Sequence, residues 1–182
     1  HYAMNALGAL LAAQAAGASL LDCAAALAHF TPPSGRGAQQ KISIPGGTIT
    51  LIDESYNASP VATRAAIAVL GKTMPGTGGR RIAVLGDMRE LGATAPQLHA
   101  ELSVPLCAAG LDLVFCCGHI IQGLFEALPA AMRGRYTADS KALAAILPGM
   151  LRPGDVVLVK GSKSVHMDVV IAAIQQLRSN AA

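Results

Sequence analysis

The chain has 182 residues, 52% of them hydrophobic and 14% charged, with a formal net charge of +3. That length fits one domain of ordinary size, or one domain plus part of another, and the apolar share excludes a disordered chain. Aromatic residues are only 3% and no basic run exceeds Arg80-Arg81, which argues against a nucleic-acid face.

Residues 1–16 carry a helical pattern that stops at Gly17. Ser19 and Asp22 then open a second helix that runs to about His29. Two Ala-rich helices with no strand partner make a poor domain by themselves, so they read as the tail of a domain lying earlier in a longer chain. Gln14, Gly17 and Asp22 interrupt the apolar run, so it is no membrane span. No Lys or Arg precedes Arg36, so no secretory signal is expected, and the cytoplasm is the expected compartment. Thr31-Pro32-Pro33-Ser34-Gly35 is a linker signal. Arg36 follows between two glycines; it reads either as a solvated hinge residue or as a cation that folds onto a phosphate when two domains close.

After the linker the pattern changes. Residues 41–44 and 48–52 predict a hairpin around Pro45-Gly46-Gly47. Its second strand runs into Asp53-Glu54-Ser55-Tyr56-Asn57-Ala58-Ser59-Pro60. Two acids, a Tyr and an Asn at a strand exit are poor core material. They suit a polar ligand, which an α/β sheet binds at the carboxyl ends of its strands. Ser59 reads as an N-cap and Pro60 as the first helical position, ahead of a helix over 61–70. Gly71-Lys72-Thr73 fails as a phosphate-binding P-loop, because residue 66 is Ala and the triplet ends a helix instead of opening one. A glycine C-cap accounts for it.

A strand over 81–85 leads into Gly86-Asp87-Met88-Arg89-Glu90-Leu91-Gly92. This is not the Gly-x-Gly-x-x-Gly fingerprint, which weakens an NAD-dependent oxidoreductase reading. Asp87 and Glu90 suit an ammonium or a hydroxyl, and a tight turn with solvated acids reads equally well. A helix over 95–108 and a strand over 113–117 come next. Cys116 and Cys117 are adjacent in that strand, so with Cys23 and Cys107 they read as free thiols of a reducing compartment. A helix over 120–128, a short strand over 135–137, a helix over 140–147 and a strand over 155–160 follow. Lys160-Gly161-Ser162-Lys163-Ser164 then brings cations and hydroxyls to a helix over 166–177. That is a carboxylate or phosphate site, or a capped and solvated turn. His1, His29, His99, His119 and His166 show no metal-ligand spacing, so no metal held wholly within this chain is expected. Alternation of apolar strands with helices predicts an α/β fold: a mostly parallel, Rossmann-like sheet with helices on both faces and right-handed crossovers.

These segments, in this order, resemble the C-terminal part of a bacterial Mur ligase. His1-Tyr2-Ala3-Met4-Asn5-Ala6-Leu7 is similar to the end of the family's central ATPase domain. Gly35-Arg36 resembles the Gly-Arg after its interdomain linker. Asp-Glu-Ser-Tyr-Asn-Ala-Ser-Pro, Leu-Gly-Asp-Met-x-Glu-Leu-Gly and Val-Lys-Gly-Ser-Lys-Ser follow in the family's order. The Tyr-Asn form of the strand-exit motif favours the member that adds D-Ala-D-Ala to UDP-MurNAc-tripeptide. Tyr2 stands where the family usually has Asn, and Ser59 where Asn is common; Ser caps a helix equally well.

The resemblance implies a division into residues 1–30, the closing helices of the central ATP-binding domain; 31–38, the linker; and 39–182, the Rossmann-like C-terminal domain. It implies that Asn5, Arg36, Glu54, Tyr56 and Asn57 contact ATP, and that Asp87, Lys160 and Ser162 face the dipeptide and the tripeptide terminus. It implies an ATP-dependent ligation through an acyl phosphate, with the P-loop, the Mg²⁺ ligands and a carbamylated Lys supplied by the central domain. The chain is then a fragment, inactive alone, of a monomeric cytoplasmic enzyme of peptidoglycan synthesis, with no nucleic-acid partner and no membrane insertion. Rival readings are a stand-alone nucleotide-binding module without chemistry, and another Mur or folylpolyglutamate-type amide ligase.

Overall fold

The computed structural model describes residues 2–180; His1, the first residue of the opening motif, lies outside the described residues. Contacts within the chain group into two units, His1–Pro32 and Pro33–Ala182.

The first unit holds helices α1 (Tyr2–Ala15) and α2 (Leu20–Ala28). Ser19 caps α2, its hydroxyl accepting from the Asp22 N–H. Neither helix hides its apolar residues: Met4, Leu7, Leu11, Leu20 and Leu21 are all exposed. No helix among the described residues is long and apolar enough to cross a membrane.

The second unit is a six-stranded sheet in the order β1-β2-β6-β3-β4-β5. Strands β1 (Ala38–Ile44) and β2 (Gly47–Glu54) form the antiparallel hairpin; β1 starts earlier than the alternation predicts and β2 is longer at both ends. Strands β3 (Arg81–Gly86), β4 (Leu113–Cys117), β5 (Arg133–Thr137) and β6 (Val156–Lys160) run parallel to β2 and to each other. The sheet is thus mostly parallel, as expected, and strand alternation sorts its side chains into two cores. Ala83, Leu85, Val114, Cys116, Val156 and Leu158 pack with α3 (Pro60–Lys72), α5 (Ser103–Ala108) and α6 (Gln122–Ala127). Ile82, Val84, Phe115, Cys117, Val157 and Val159 pack with α7 (Ser140–Ile146) and α8 (Asp168–Gln176). Near-continuous apolar strands are what a sheet covered on both faces requires.

Two expected helices differ. Residues 95–108 form two pieces, α4 (Ala95–Ala100) and α5, broken at Glu101 and Leu102. Pro105 has no N–H to give the carbonyl of residue 101 and its ring crowds that carbonyl, so the helix cannot run through. The last helix starts at Asp168 instead of 166, because His166 adopts a left-handed conformation with φ of 56° that ends a short 3₁₀ turn.

β6 is the last strand in sequence yet lies between β2 and β3. The carboxyl ends of these three strands meet at one edge, where the chain reverses its winding. Such a switch point is where open α/β sheets bind ligands.

Cys116 and Cys117 close β4 at its carboxyl end, fully buried. Burial pushes the Cys116 thiol far above its ordinary value, with Cys117 and Asp87 adding to it. Burial also raises Cys117, to about 11, partly offset by a hydrogen bond with Thr137. The folded state therefore keeps protons that unfolded thiols release. Stability from this source is complete below the ordinary thiol value of 9.0 and falls as pH rises through about 11. Urea midpoints followed from neutral pH to about pH 11 are expected to fall less in Cys117→Ser than in the parent chain. Iodoacetamide is expected to label exposed Cys107 and spare Cys116 and Cys117 in the folded protein.

Candidate functional site

The β2 exit is built on Asp53. Its carboxylate is buried, and Oδ1 accepts from the Ser55 N–H at 3.1 Å and the Ser55 hydroxyl at 2.6 Å. Oδ2 accepts from the Gly35 N–H at 3.0 Å, and the Asp53 carbonyl accepts from the Gly37 N–H at 2.7 Å. The Tyr56 N–H in turn donates to the Gly35 carbonyl at 3.1 Å. Gly35 has φ of 78°, and a Cβ there would lie 2.9 Å from Tyr56, so only glycine allows this approach. The segment around Arg36 is thereby fastened to the β2 exit. The Arg36 guanidinium lies 4.2 Å from the centre of the Tyr56 ring, and the Lys163 ammonium 5.4 Å from it. Cation–aromatic contacts of this length are attractive.

Asp53→Ala removes the acceptor of three donors, two of them main-chain N–H groups. It is expected to cost about 1–3 kcal/mol, with faster hydrogen exchange at the Gly35 amide. An unchanged urea midpoint together with an unchanged Gly35 exchange rate would contradict this.

Glu54 faces Lys160 across the β2–β6 ladder. The Lys160 ammonium donates to Glu54 Oε2 at 3.1 Å and to the Asn57 carbonyl at 3.0 Å, and its side chain is only 3% exposed. Lys160 is therefore directed at the ATP candidates Glu54 and Asn57, away from open solvent. The Asn57 side-chain carbonyl accepts from the Ala58 N–H at 2.8 Å. Ser59 caps α3 by accepting from the Ala62 N–H, with Pro60 in the first turn.

The β3 exit is locked to the β6 exit. The Ser162 N–H donates to the Asp87 carbonyl at 3.0 Å, and the Ser162 hydroxyl accepts from the Arg89 N–H at 2.8 Å. Asp87 is completely buried, and its carboxylate accepts from the N–H groups of His119, Ile120 and Ile121. Arg89 pairs with it at 3.3 Å. That carboxylate is saturated by the β4 exit loop, so the geometry gives Asp87 the work of holding loops together. His99, also buried, accepts from the Met88 N–H at Nε2; its Nδ1–H therefore donates to the Ala95 carbonyl at 2.6 Å.

Together these exits enclose a cleft of about 760 Å³, whose walls include Tyr56, Asn57, Ser59, Arg89, Ser162 and Lys163. Glu90 and His166, the described non-glycine residues with positive φ, also line it. Backbone held in a sparsely populated region persists where its surroundings over-determine it. Asn5 is exposed on α1, within the first unit. Arg89 and His166 line the cleft although sequence reasoning does not single them out. Arg89 is marked only by its place in the β3-exit motif, and His166 lies two residues beyond the β6-exit motif. No group of three or more His, Cys, Asp or Glu side chains placed to hold a metal occurs among the described residues.

Residues 39–163 match the domain described as "Mur ligase, glutamate ligase domain". The UDP-N-acetylmuramoyl-tripeptide–D-alanyl-D-alanine ligase of Escherichia coli K12 is 34% identical over 178 residues, which cover 97% of this chain and 37% of that protein. The same-named ligase of Mycobacterium tuberculosis H37Rv is 34% identical over 96% of this chain and 38% of its own length. Among solved structures, MurF from Acinetobacter baumannii superposes with a TM-score of 0.80 at 27% identity, over 97% of this chain and 37% of that one. MurF from Thermotoga maritima, solved in complex with ADP, gives 0.74 at 26% identity, over 95% and 37%. The chain thus spans little more than a third of the length of these relatives. It belongs to the Mur ligase family, with that family's glutamate ligase domain over residues 39–163.

Proposed function

We propose that the chain is the C-terminal part of the ATP-dependent ligase that joins D-Ala-D-Ala to UDP-MurNAc-tripeptide, in the cytoplasmic synthesis of peptidoglycan precursors. Residues 1–30 are then the closing helices of the central ATP-binding domain, 31–38 the linker, and 39–182 the C-terminal domain. The exposed apolar residues of α1 and α2 are the surface that the rest of the central domain covers.

The observation that carries this reading is the clustering of Arg36, Tyr56, Glu54, Asn57 and Lys160 at one sheet edge, in a chain of which 97% aligns with 37% of such a ligase. Tyr56 offers an aromatic face and Arg36 a guanidinium to a nucleotide's base and phosphates. Glu54, held by Lys160, is placed to accept from ribose hydroxyls. Asn5 contacts the adenine from the central domain. Ser162 fixes the cleft wall, and Asp87 anchors the loops that receive the dipeptide. ATP, when bound, supplies the phosphoryl group that activates the tripeptide carboxylate. Mg²⁺ ligands come from the central domain. The site's contribution is positioning and charge neutralisation for amine attack on the acyl phosphate.

The test is ligation by the full-length protein. Phosphate release is expected to require ATP, UDP-MurNAc-tripeptide and D-Ala-D-Ala together, with single amino acids inactive and residues 1–182 inactive alone. Ligation by this chain alone, or preference for a single amino acid, would overturn the reading.

A further inference from the structure

The two ends of the sheet differ in charge. A second cleft, of about 650 Å³, lies at the exits of β4 and β5, so both clefts open at the carboxyl ends of the strands. At the amino ends, Lys72 closes α3, Arg80 and Arg81 lead into β3, Arg133 opens β5 and Arg152 precedes β6. Lys41 is level with the first residue of β6 through Thr50, and the Arg178 guanidinium donates to the Lys41 carbonyl at 2.8 Å. Among the described residues, the acids beside these seven cations are Asp112, Glu126 and Asp155. The chain has 14 Lys and Arg against 11 Asp and Glu, so seven cations and eight acids are left for everything else. The amino ends of the strands therefore carry more than the whole net charge of +3.

Several of these cations also serve the fold. Arg81 Nε donates to the Thr73 carbonyl at 3.1 Å, and Arg133 donates to the carbonyls of Glu126 at 2.6 Å and Leu128 at 2.9 Å, a good use of cations at helix carboxyl ends. A carbonyl accepts such a bond without cancelling the charge. Asp112 accepts from the main-chain N–H of Arg81 at 2.7 Å, and Asp155 is buried under Arg80. Lys41, Lys72, Arg133, Arg152 and Arg178 remain exposed.

These cations extend from β1 to β5, across all six strands, about 24 Å at the spacing of paired strands. Two apolar side chains stand among them. Met74 is 79% exposed, its sulfur 3.9 Å from Arg81 Nη2, and Ile146 is exposed at the end of α7. No aromatic residue occurs in 41–50, 72–81, 109–113, 128–133 or 148–156, so nucleic-acid bases have nothing there to stack on. A broad layer of cations with apolar tips suits an anionic lipid surface, where charge meets headgroups and the tips reach the acyl boundary.

We propose that the amino ends of the strands form a surface that docks the protein on an anionic membrane without crossing it, with both clefts turned away from the lipid.

The experiment is sedimentation of the full-length protein with vesicles of phosphatidylcholine alone, or with about 30% phosphatidylglycerol added. Binding is expected only with the anionic lipid, and is expected to fade between about 0.05 M and about 0.5 M NaCl as the charges are screened. Each Lys or Arg near such a surface is worth about fivefold in partitioning, so Lys72→Gln with Arg152→Gln is expected to weaken binding about 25-fold. Neither side chain lines either cleft, and the urea midpoint reports that the fold is kept. Met74→Ser, which leaves the charge as it was, is expected to weaken binding about threefold. Lys141→Gln, the same loss of charge on α7 beside the β5 exit, is expected to change binding by about twofold or less. Binding to neither vesicle, equal binding to both, or an equal loss in Lys141→Gln would overturn the proposal. Binding to a poly(U) oligonucleotide that outlasts lipid binding as salt rises would overturn it too, and would assign the surface to nucleic acid.

Discussion

Asp155→Ala is expected to lower the unfolding free energy by about 3–5 kcal/mol, the range seen when one partner of a buried ion pair is removed. Asp155 is completely buried at the end of the sheet opposite the clefts. Oδ1 accepts from the Arg80 N–H at 2.9 Å and from Arg80 Nε at 3.1 Å; Oδ2 accepts from Arg80 Nη2 at 2.7 Å and from the Arg152 N–H at 3.0 Å. Arg80 Nη2 also donates to the Met150 carbonyl at 2.8 Å. One carboxylate thus joins the entry to β3, the entry to β6 and the turn after α7. The truncation strands a guanidinium whose side chain is 18% exposed and two main-chain N–H groups. The backbone cannot shift to compensate. At Gly79 a Cβ would collide with the Gly154 carbonyl, so the loops that lead into β3 and β6 already touch. Against a total of about 5–15 kcal/mol, the loss is most of the margin. Asp155→Asn keeps one acceptor and is expected to lose less. Urea midpoints of both variants check the order; an Asp155→Ala midpoint near the parent's would refute the argument.

The same neighbourhood shows what sequence can and cannot tell. Arg80 is visible only as the first of two adjacent cations, and nothing marks Asp155 as its partner, 75 positions away. The strand and helix alternation was legible because apolar runs and caps are local: Ser59 caps α3 as read, and the hairpin turn falls where its glycines stand. The insertion of β6 between β2 and β3 was not legible, since long-range pairing leaves no local trace. That insertion decides the site. It turns Lys160 from an independent ligand candidate into the counterion of Glu54, and it brings Ser162 against the β3 exit. Asp87 read as a solvated or ligand-facing acid because the N–H groups that saturate it belong to residues 119–121. The break in the predicted helix over 95–108 was legible in Pro105 and was overridden by the apolar period. The weight of the β2 exit rests on Asp53 as much as on its neighbours, because its role is to hold main chain, a task no composition or spacing displays.

Lys160→Met tests the consequence of that insertion, and a loss of about 3 kcal/mol is expected. Met matches the length and apolar stem of Lys, so the change isolates the charge. Lys160 donates to Glu54 and to the Asn57 carbonyl from a position 3% exposed, and the Glu54 side chain is only 13% exposed. Without the ammonium, Glu54 keeps a charge in a place poorly reached by water. Adding Glu54→Gln to Lys160→Met removes that charge and is expected to recover part of the loss, so the double variant is more stable than Lys160→Met alone. The coupling read from this cycle is the interaction itself, since the residues are in direct contact. If Lys160 served the dipeptide instead, the double variant would lose the sum of the single losses, and KM for the dipeptide would rise with KM for ATP unmoved. If it serves Glu54, KM for ATP rises in Lys160→Met. Lys160→Arg is then expected to keep the charge but crowd the ladder, because a planar fork cannot take the place of a compact ammonium directed at one carboxylate and one carbonyl.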